Sequence, residues 1–351
     1  MKEQVERICI SVNTECNLAC KYCYFFNPEN RIKKDDELTS NEILEILKKI
    51  HGYSENDFIK KNIKVNFVGS GEPLISWKNI KNALYKFKNE FNNQKVKFYI
   101  VSNGTLLTQK IASEMKELDV FPSISLDGYK ELHNKNRINY LGIGSFENTM
   151  KGINILRTQN FKIAINTTVT ETLVANIENY LIFLKDNNIS KVTFDRLVDT
   201  PSHFKKMSYN EFYDFLSLLY KKRKELKMEN IIEIGNFESY KKNFKGKVDK
   251  VCTMFGSSCG AGTNFLIYML KDVYPCGRMF GKKEWLLGKY LDNIEDLQNN
   301  MYNKLPQRTD CINCSILKEC YRDCILEYEE KDYTCDSRKE FILNFKNILG
   351  G

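Results

Sequence analysis

The chemistry of this 351-residue chain is concentrated in its twelve cysteines, and their positions say more than their number. Cys9, Cys16, Cys20 and Cys23 lie near the start, none follows until Cys252, and the other eight fall in the last hundred residues. In a reducing compartment cysteines of this density point to metal ligation rather than to a disulfide framework. The spacing Cys16-x3-Cys20-x2-Cys23 arises by chance about once in seventy chains of such cysteine content. Three thiolates on one short loop can hold three irons of a [4Fe–4S] cluster and leave the fourth iron open to an exogenous ligand. A structural zinc site, the alternative, wants four protein ligands, and no fourth partner is close by in the sequence. Cys9, flanked by apolar residues, reads as a core thiol.

The second region is denser. Cys311-x2-Cys314-x5-Cys320-x3-Cys324, together with Cys252, Cys259, Cys276 and Cys335, supplies eight thiols. Eight suffice for two fully ligated [4Fe–4S] clusters. A pair of zinc ribbons is the alternative that the close pair Cys311 and Cys314 permits.

Elements must position these ligands, and the hydrophobic periodicity supplies them. Ile8–Val12, Ile63–Val68, Val96–Val101, Ser123–Leu126, Lys162–Val169 and Lys191–Leu197 read as strands. Between them, helical spacing runs from Thr39 onward through Ile43, Leu44, Leu47 and Ile50, then over Trp77–Asn92, Thr108–Leu118, Ser145–Gln159 and Val174–Asp186. A helix from Tyr209 to about Met228 closes the series. The pattern predicts an α/β fold, an open partial (βα)6 barrel over residues 1–235, because six units are too few for an eight-stranded closed barrel. A linker over 236–249, rich in lysine, glycine and asparagine, then leads to a small loop-rich cysteine domain over 250–351. Chemistry in such sheets sits at the C-terminal strand ends, where Gly69–Pro73, Ser102–Asn103, Ser125–Asp127 and Leu197 fall.

Composition excludes several classes. With 42% hydrophobic and 28% charged residues the chain has the make-up of a soluble globular protein. No stretch approaches the roughly 18 apolar residues of a membrane helix, and the charged N-terminus is no secretory signal, so a cytoplasmic location is expected. The net charge of +8 comes from lysines interspersed with acids, the mark of a solvated surface rather than of a nucleic-acid site.

The three-cysteine loop after the first strand, with Tyr22 before the third cysteine, resembles the radical S-adenosylmethionine superfamily. Three further segments are similar to that family in order and placement: Gly69-Ser70-Gly71-Glu72-Pro73, Val101-Ser102-Asn103-Gly104-Thr105, and Ser125-Leu126-Asp127-Gly128 with His133 and Arg137 after it. The resemblance implies a cluster on Cys16, Cys20 and Cys23 that chelates the methionyl end of S-adenosylmethionine and yields a 5′-deoxyadenosyl radical. It implies cofactor contacts from Tyr22, Ser70, Gly71, Glu72, Pro73, Ser102, Asn103, Ser125, Asp127, Arg137 and Leu197. The C-terminal cysteines resemble the SPASM extension of these enzymes. By that likeness Cys252, Cys259, Cys276 and Cys324 hold one auxiliary [4Fe–4S] cluster, and Cys311, Cys314, Cys320 and Cys335 the other, three clusters in all. Lys271 stands where the family usually has glycine.

SPASM-bearing enzymes modify peptides or proteins, and a flavodoxin or ferredoxin reductant is implied. Sulfatase maturases of the family carry a catalytic aspartate directly after the Cys276 position, where this chain has Gly277, and glycine cannot be a general base. The expectation therefore tilts from formylglycine formation to a thioether or carbon–carbon crosslink in a ribosomally made peptide. About seven residues precede the first strand, too few for a leader-binding module, so leader recognition is expected to need a separate leader-binding protein or a different surface. Asp195, Asp199 and Tyr24 are chemically able to act as bases, and none is assigned. A non-enzymatic iron–sulfur electron carrier is the reading from another class.

Overall fold

The computed structural model describes residues 3–26, 36–91, 94–201, 204–247, 252, 258–305, 311–320, 324–329 and 335–349. Strands and helices alternate from the start: β1 (Arg7–Ser11), α1 (Ser40–Ser54), β2 (Ile63–Val68), α2 (Trp77–Glu90), β3 (Val96–Ser102), α3 (Gln109–Glu117) and β4 (Val120–Ser125). The series continues with α4 (Lys130–Asn136), α5 (Phe146–Thr158), β5 (Ala164–Thr168), α6 (Glu171–Ala175), α7 (Ile177–Asp186), β6 (Lys191–Asp195) and α8 (Tyr209–Glu225). Then follow β7 (Glu233–Ile234), α9 (Gly235–Phe244), β8 (Phe265–Met269), β9 (Asp272–Tyr274), β10 (Gly288–Lys289), α10 (Ile294–Tyr302), α11 (Leu317–Cys320), α12 (Ile325–Glu329) and α13 (Cys335–Ile348).

One sheet takes up all ten of these strands, in the order β10-β9-β8-β1-β2-β3-β4-β5-β6-β7. It is parallel from β8 to β7 and antiparallel only through β8, β9 and β10. Among the described residues β7 and β10 do not pair, so the sheet stays open, as the count of strand–helix units predicts. Ile8, Ile10, Val65, Phe67, Phe98, Ile100, Val192 and Phe194 form its outer face, buried beneath the helices. A sheet sealed on both faces would read as continuous apolar runs. Here the alternate positions Asn66, Tyr99, Ser123, Asn166, Thr193 and Asp195 are half-buried and mostly polar. That inner face is built to meet a ligand. No helix among the described residues is long and apolar enough to cross a membrane.

Two expectations need correction. The lysine-rich segment taken for a linker is helix α9 over Gly235–Phe244; its lysines face out, while Phe237 and Tyr240 pack on Phe345 of α13 at 5.3 and 5.6 Å. Residues 248–249 of that expected linker lie outside the described residues. Strand β4 begins at Val120 rather than Ser123, because Phe121 and Pro122 continue the ladder against β3. The sequence reading also passed over the hairpin β8–β9. It adds to the free edge of β1 in register Cys9↔Ile267, so the cysteine-rich region and the barrel share one sheet.

Candidate active site at the barrel mouth

The loop that carries Cys16, Cys20 and Cys23 leaves β1 and is held from below by the next two strand ends. Ser70 N–H donates to Ser11 Oγ at 3.0 Å, Glu72 N–H donates to the Glu15 carbonyl at 2.7 Å, and Asn13 Nδ2 donates to the Glu72 carbonyl at 3.0 Å. From β3, Asn103 Nδ2 donates to Asn17 Oδ1 at 2.9 Å, and Asn17 Nδ2 donates to Thr105 Oγ1 at 2.8 Å. The glycines of the Gly-Ser-Gly-Glu-Pro turn have a physical cause here. A Cβ on Gly71 would stand 2.0 Å from the Glu15 carbonyl oxygen and 2.3 Å from Asn13 Oδ1. The close approach is made by the chain's own cysteine loop, so the turn and the loop form one rigid unit.

Glu72 is 3% exposed and its carboxylate is engaged: it accepts from Ser102 Oγ at 2.7 Å, Asn103 N–H at 2.8 Å and Leu74 N–H at 3.1 Å. Burial raises its pKa, and these donors pull the other way. It clamps the ends of β2 and β3. Asn13 Oδ1, beside Gly71, is buried without a hydrogen-bond partner, an open acceptor at the edge of the cysteine loop.

On the opposite side the end of β4 locks the third cysteine's neighbour. Tyr22 donates its hydroxyl to Asp127 Oδ2 at 2.5 Å, and Arg137 Nε lies 3.0 Å from the same oxygen. Asp127 Oδ1 accepts from Thr168 N–H at 3.1 Å. Burial is the largest single influence and works against the Arg137 charge, but Asp127, Tyr22 and Cys20 together outweigh it and hold its pKa above the ordinary value. His133 receives the Asp127 N–H on Nδ1 at 3.3 Å, meets Ser145 Oγ at 2.9 Å through Nε2, and burial lowers its pKa to about 4. It is a neutral structural imidazole. Beyond these, Leu197 lines a cavity of about 240 Å³ with Asn136, Val169, Phe204 and Met207, at the ends of β5 and β6.

The structure thus brings together Cys16, Cys20, Cys23, Tyr22, Ser70, Gly71, Glu72, Ser102, Asn103, Asp127 and Arg137. Pro73 opens the turn after Glu72, and Ser125 sits half-buried on the inner face next to Asn166. Asn13, Asn17 and Glu15 were missed by sequence reasoning; only their position between the first strand and the cysteines could have flagged them.

The donor set fits a cluster. Cys16, Cys20 and Cys23 lie near enough for their charges to repel, and burial is the larger cause that raises Cys16 and Cys20 to about 12. Leu18 N–H already points at Cys16 Sγ, 3.4 Å away. Among the described residues no three His, Cys, Asp or Glu side chains converge on a point close enough for one metal ion.

In the C-terminal region, Cys259, Cys276 and Cys324 are near enough for their charges to repel; burial is the larger cause that raises Cys276 to about 11 and Cys324 well above its ordinary value. A buried ionic chain ties them to the barrel. Arg278 makes a two-pronged pair with Asp199, donates to Glu327 Oε1 at 2.9 Å, and reaches Cys324 Sγ at 3.5 Å. Glu327 also pairs with Arg196, whose guanidinium stacks 3.8 Å over the Tyr209 ring. Burial would raise the Asp199 pKa, and Arg278 more than offsets it. A Cβ at Gly277 would stand 2.9 Å from the Tyr24 hydroxyl. Cys311, Cys314 and Cys320 lie on and before α11, and Cys335 opens α13, exposed.

Comparison with known proteins agrees with this architecture. The chain is 28% identical over 353 residues to the radical SAM cyclopropyl synthase TigE of Paramaledivibacter caminithermalis, covering 94% of this chain and 70% of that one. It is 26% identical to a cysteine-type anaerobic sulfatase-maturating enzyme of Clostridium perfringens, over 93% of this chain and 92% of the other. Its fold matches anSMEcpe with bound AdoMet at a TM-score of 0.79, with 20% identity over 98% of this chain and 95% of that one. It also matches Streptococcus suis SuiB bound to precursor peptide SuiA at 0.71, with 16% identity over 96% and 76%. The profile of the Radical SAM superfamily matches residues 10–180. That match runs from β1 into α7 and takes in every element that holds the three-cysteine loop, so residues 10–180 form a Radical SAM domain and the chain is a radical S-adenosylmethionine enzyme.

Proposed function

We propose that this enzyme modifies a peptide or protein, forming a thioether or carbon–carbon crosslink in a ribosomally made peptide. The observation that carries this reading is the pair Gly277 and Tyr24: no carboxylate follows Cys276, and the space a side chain would enter there holds the Tyr24 hydroxyl. Cys16, Cys20 and Cys23 would hold the first cluster. Its chemistry, when bound, is to deliver the electron that cleaves S-adenosylmethionine to methionine and a 5′-deoxyadenosyl radical. The chain's own groups do the positioning. Asn13 Oδ1, the buried acceptor beside Gly71, would accept from the methionyl ammonium, Glu72 would keep the turn beneath it, and Val169, Leu197, Phe204 and Met207 would wall the adenine. The half-buried inner face, Ser125, Asn166 and Asp195 included, orients the substrate.

Hydrogen abstraction leaves a substrate radical and 5′-deoxyadenosine. Bond formation then releases one proton and one electron, and the electron needs an acceptor. Cys252, Cys259, Cys276 and Cys324, and Cys311, Cys314, Cys320 and Cys335, would hold two auxiliary [4Fe–4S] clusters in a SPASM-type region that takes it. Oxygen-sensitive chemistry of this kind fits the cytoplasm and a flavodoxin or ferredoxin reductant. The maturase relatives, alike over 93% of the chain, keep formylglycine formation as the second reading.

The test is anaerobic reconstitution, dithionite reduction and quantification of 5′-deoxyadenosine, with the Cys16/Cys20/Cys23 triple alanine variant as control. Wild-type cleavage that the variant lacks supports the assignment. A synthetic sulfatase-type peptide with one Cys separates the reactions: aldehyde formation on it would sink the crosslinking proposal.

A further inference from the structure

The C-terminal helix α13 carries Arg338, 1% exposed and therefore one of the most deeply buried charged side chains described. Its Nε donates to Cys320 Sγ at 3.1 Å, its Nη1 donates to the Tyr213 hydroxyl at 2.8 Å, and Nη2 reaches the Cys320 carbonyl at 3.4 Å. The fork is held from both sides, because Tyr213 on α8 stacks face to face on Phe341 of α13, at 4.2 Å and 6°. A guanidinium so placed cannot drift away from the sulfur.

We propose that Arg338 sets the reduction potential of the cluster that Cys320 helps to hold and makes it the stronger electron acceptor of the two auxiliary clusters. This rests on the reading of Cys311, Cys314, Cys320 and Cys335 as one cluster's ligands. Hydrogen bonds to cluster sulfurs and nearby charge are the levers that tune such potentials. Adding an electron makes a thiolate-ligated cluster more anionic, so a fixed cation that donates to one of its sulfurs stabilises the reduced state more than the oxidised one. In a buried site that preference is only weakly screened. Arg278 makes the informative contrast. It too reaches a cysteine sulfur, but at 3.5 Å, and its guanidinium is committed to Asp199 and Glu327. The electron released by the substrate radical is then drawn towards the Cys320 cluster and away from the barrel mouth, where it would otherwise return to the radical.

The experiment uses the full chain carrying Cys16/Cys20/Cys23→Ala, so that only auxiliary clusters contribute, reconstituted anaerobically and titrated reductively under electron paramagnetic resonance. In that background, Arg338→Gln should lower the one-electron reduction constant of one cluster about tenfold, a shift of about 59 mV, and leave the other cluster's midpoint in place. Arg338→Lys, which keeps the charge but loses the fork, should shift the same midpoint by about threefold in that constant. Tyr213→Phe, which removes an anchor but no charge, should shift it less than either. Two unmoved midpoints at full iron content would overturn the proposal, and so would a Tyr213→Phe shift as large as that of Arg338→Gln. If Arg338→Gln does not retain its iron, the Arg338→Lys titration decides alone, and an unmoved midpoint there overturns it. Iron content separates the two levels of inference. About eight irons per chain in the parent confirm the ligand reading independently of Arg338, whereas about four or fewer overturn that reading and this proposal with it.

Discussion

The barrel mouth and the C-terminal cysteine region place their thiols by different means. At the mouth, three cysteines share one loop, and short backbone and amide hydrogen bonds from the ends of β2 and β3 hold it. In the C-terminal region the cysteines are spread from Cys252 to Cys335, and buried charges reach across the fold to them: Arg278 ties Cys324 to Asp199 and Glu327, and Arg338 ties Cys320 to Tyr213. Local geometry suffices where ligands are neighbours in sequence. Where they are not, long side chains with strong, directional pairing fix the distances, at the cost of depending on every partner in the chain of contacts.

Breaking the mouth should have the largest effect. Cys20→Ala removes a proposed cluster ligand from the loop, and 5′-deoxyadenosine formation should fall at least about a thousandfold with loss of about four irons per chain, read by product quantification and iron analysis. Residual cleavage near the wild-type rate would mean that the loop is not the cluster site.

The matching break in the other region is Arg278→Met. It leaves Asp199 and Glu327 buried without their shared cation, a loss of about 3–5 kcal/mol on the scale of broken buried pairs. The expected result is a clear drop in thermal midpoint measured anaerobically; a drop no larger than for an exposed lysine variant would show that the ionic chain does not bind the two regions together.

Gly71→Ala sharpens the comparison at the mouth. The added carbon would press on the Glu15 carbonyl, and overpacking of this kind costs about 1–3 kcal/mol. Because loop and turn move as one, weaker S-adenosylmethionine binding should accompany the lost stability. Unchanged affinity in a calorimetric titration would separate the two.

The smallest effect concerns the inner face. Burial raises the Asp195 pKa to about 7, with Arg137 lowering it and Asp127 raising it further. The folded chain holds a proton there that the unfolded chain releases near its ordinary value of about 3.9. The resulting stability is complete below about pH 4 and is lost as pH rises through about 7. Asp195→Asn removes that dependence. Relative to the wild type it should gain about 1–2 kcal/mol between pH 5 and pH 8, the partial access of solvent to this face keeping the figure modest. Parallel pH profiles of the two proteins would contradict the assignment of the proton to Asp195.

The strand–helix alternation, the open sheet and the placement of Gly69–Pro73, Ser102–Asn103 and Asp127 at strand ends were all legible in the sequence. Period-two and period-3.6 patterns and closely spaced cysteines are local properties, and local properties survive in a one-dimensional string. Sequence reading failed where a residue's meaning depends on a distant partner. The lysine-rich stretch after Ile234 looked like a linker until Phe345 gave its Phe237 and Tyr240 something to pack against. Nothing in the sequence around Gly71 marks the Glu15 carbonyl that stands beside it. Hairpin β8–β9 could not be assigned to the barrel because the free edge of β1 lies more than 250 residues before it. Arg278 and Arg338 were two of fifty-three cations on paper. Only tertiary structure decided which of them are buried against cysteine sulfur, because burial and pairing belong to the packed chain and not to any segment of it.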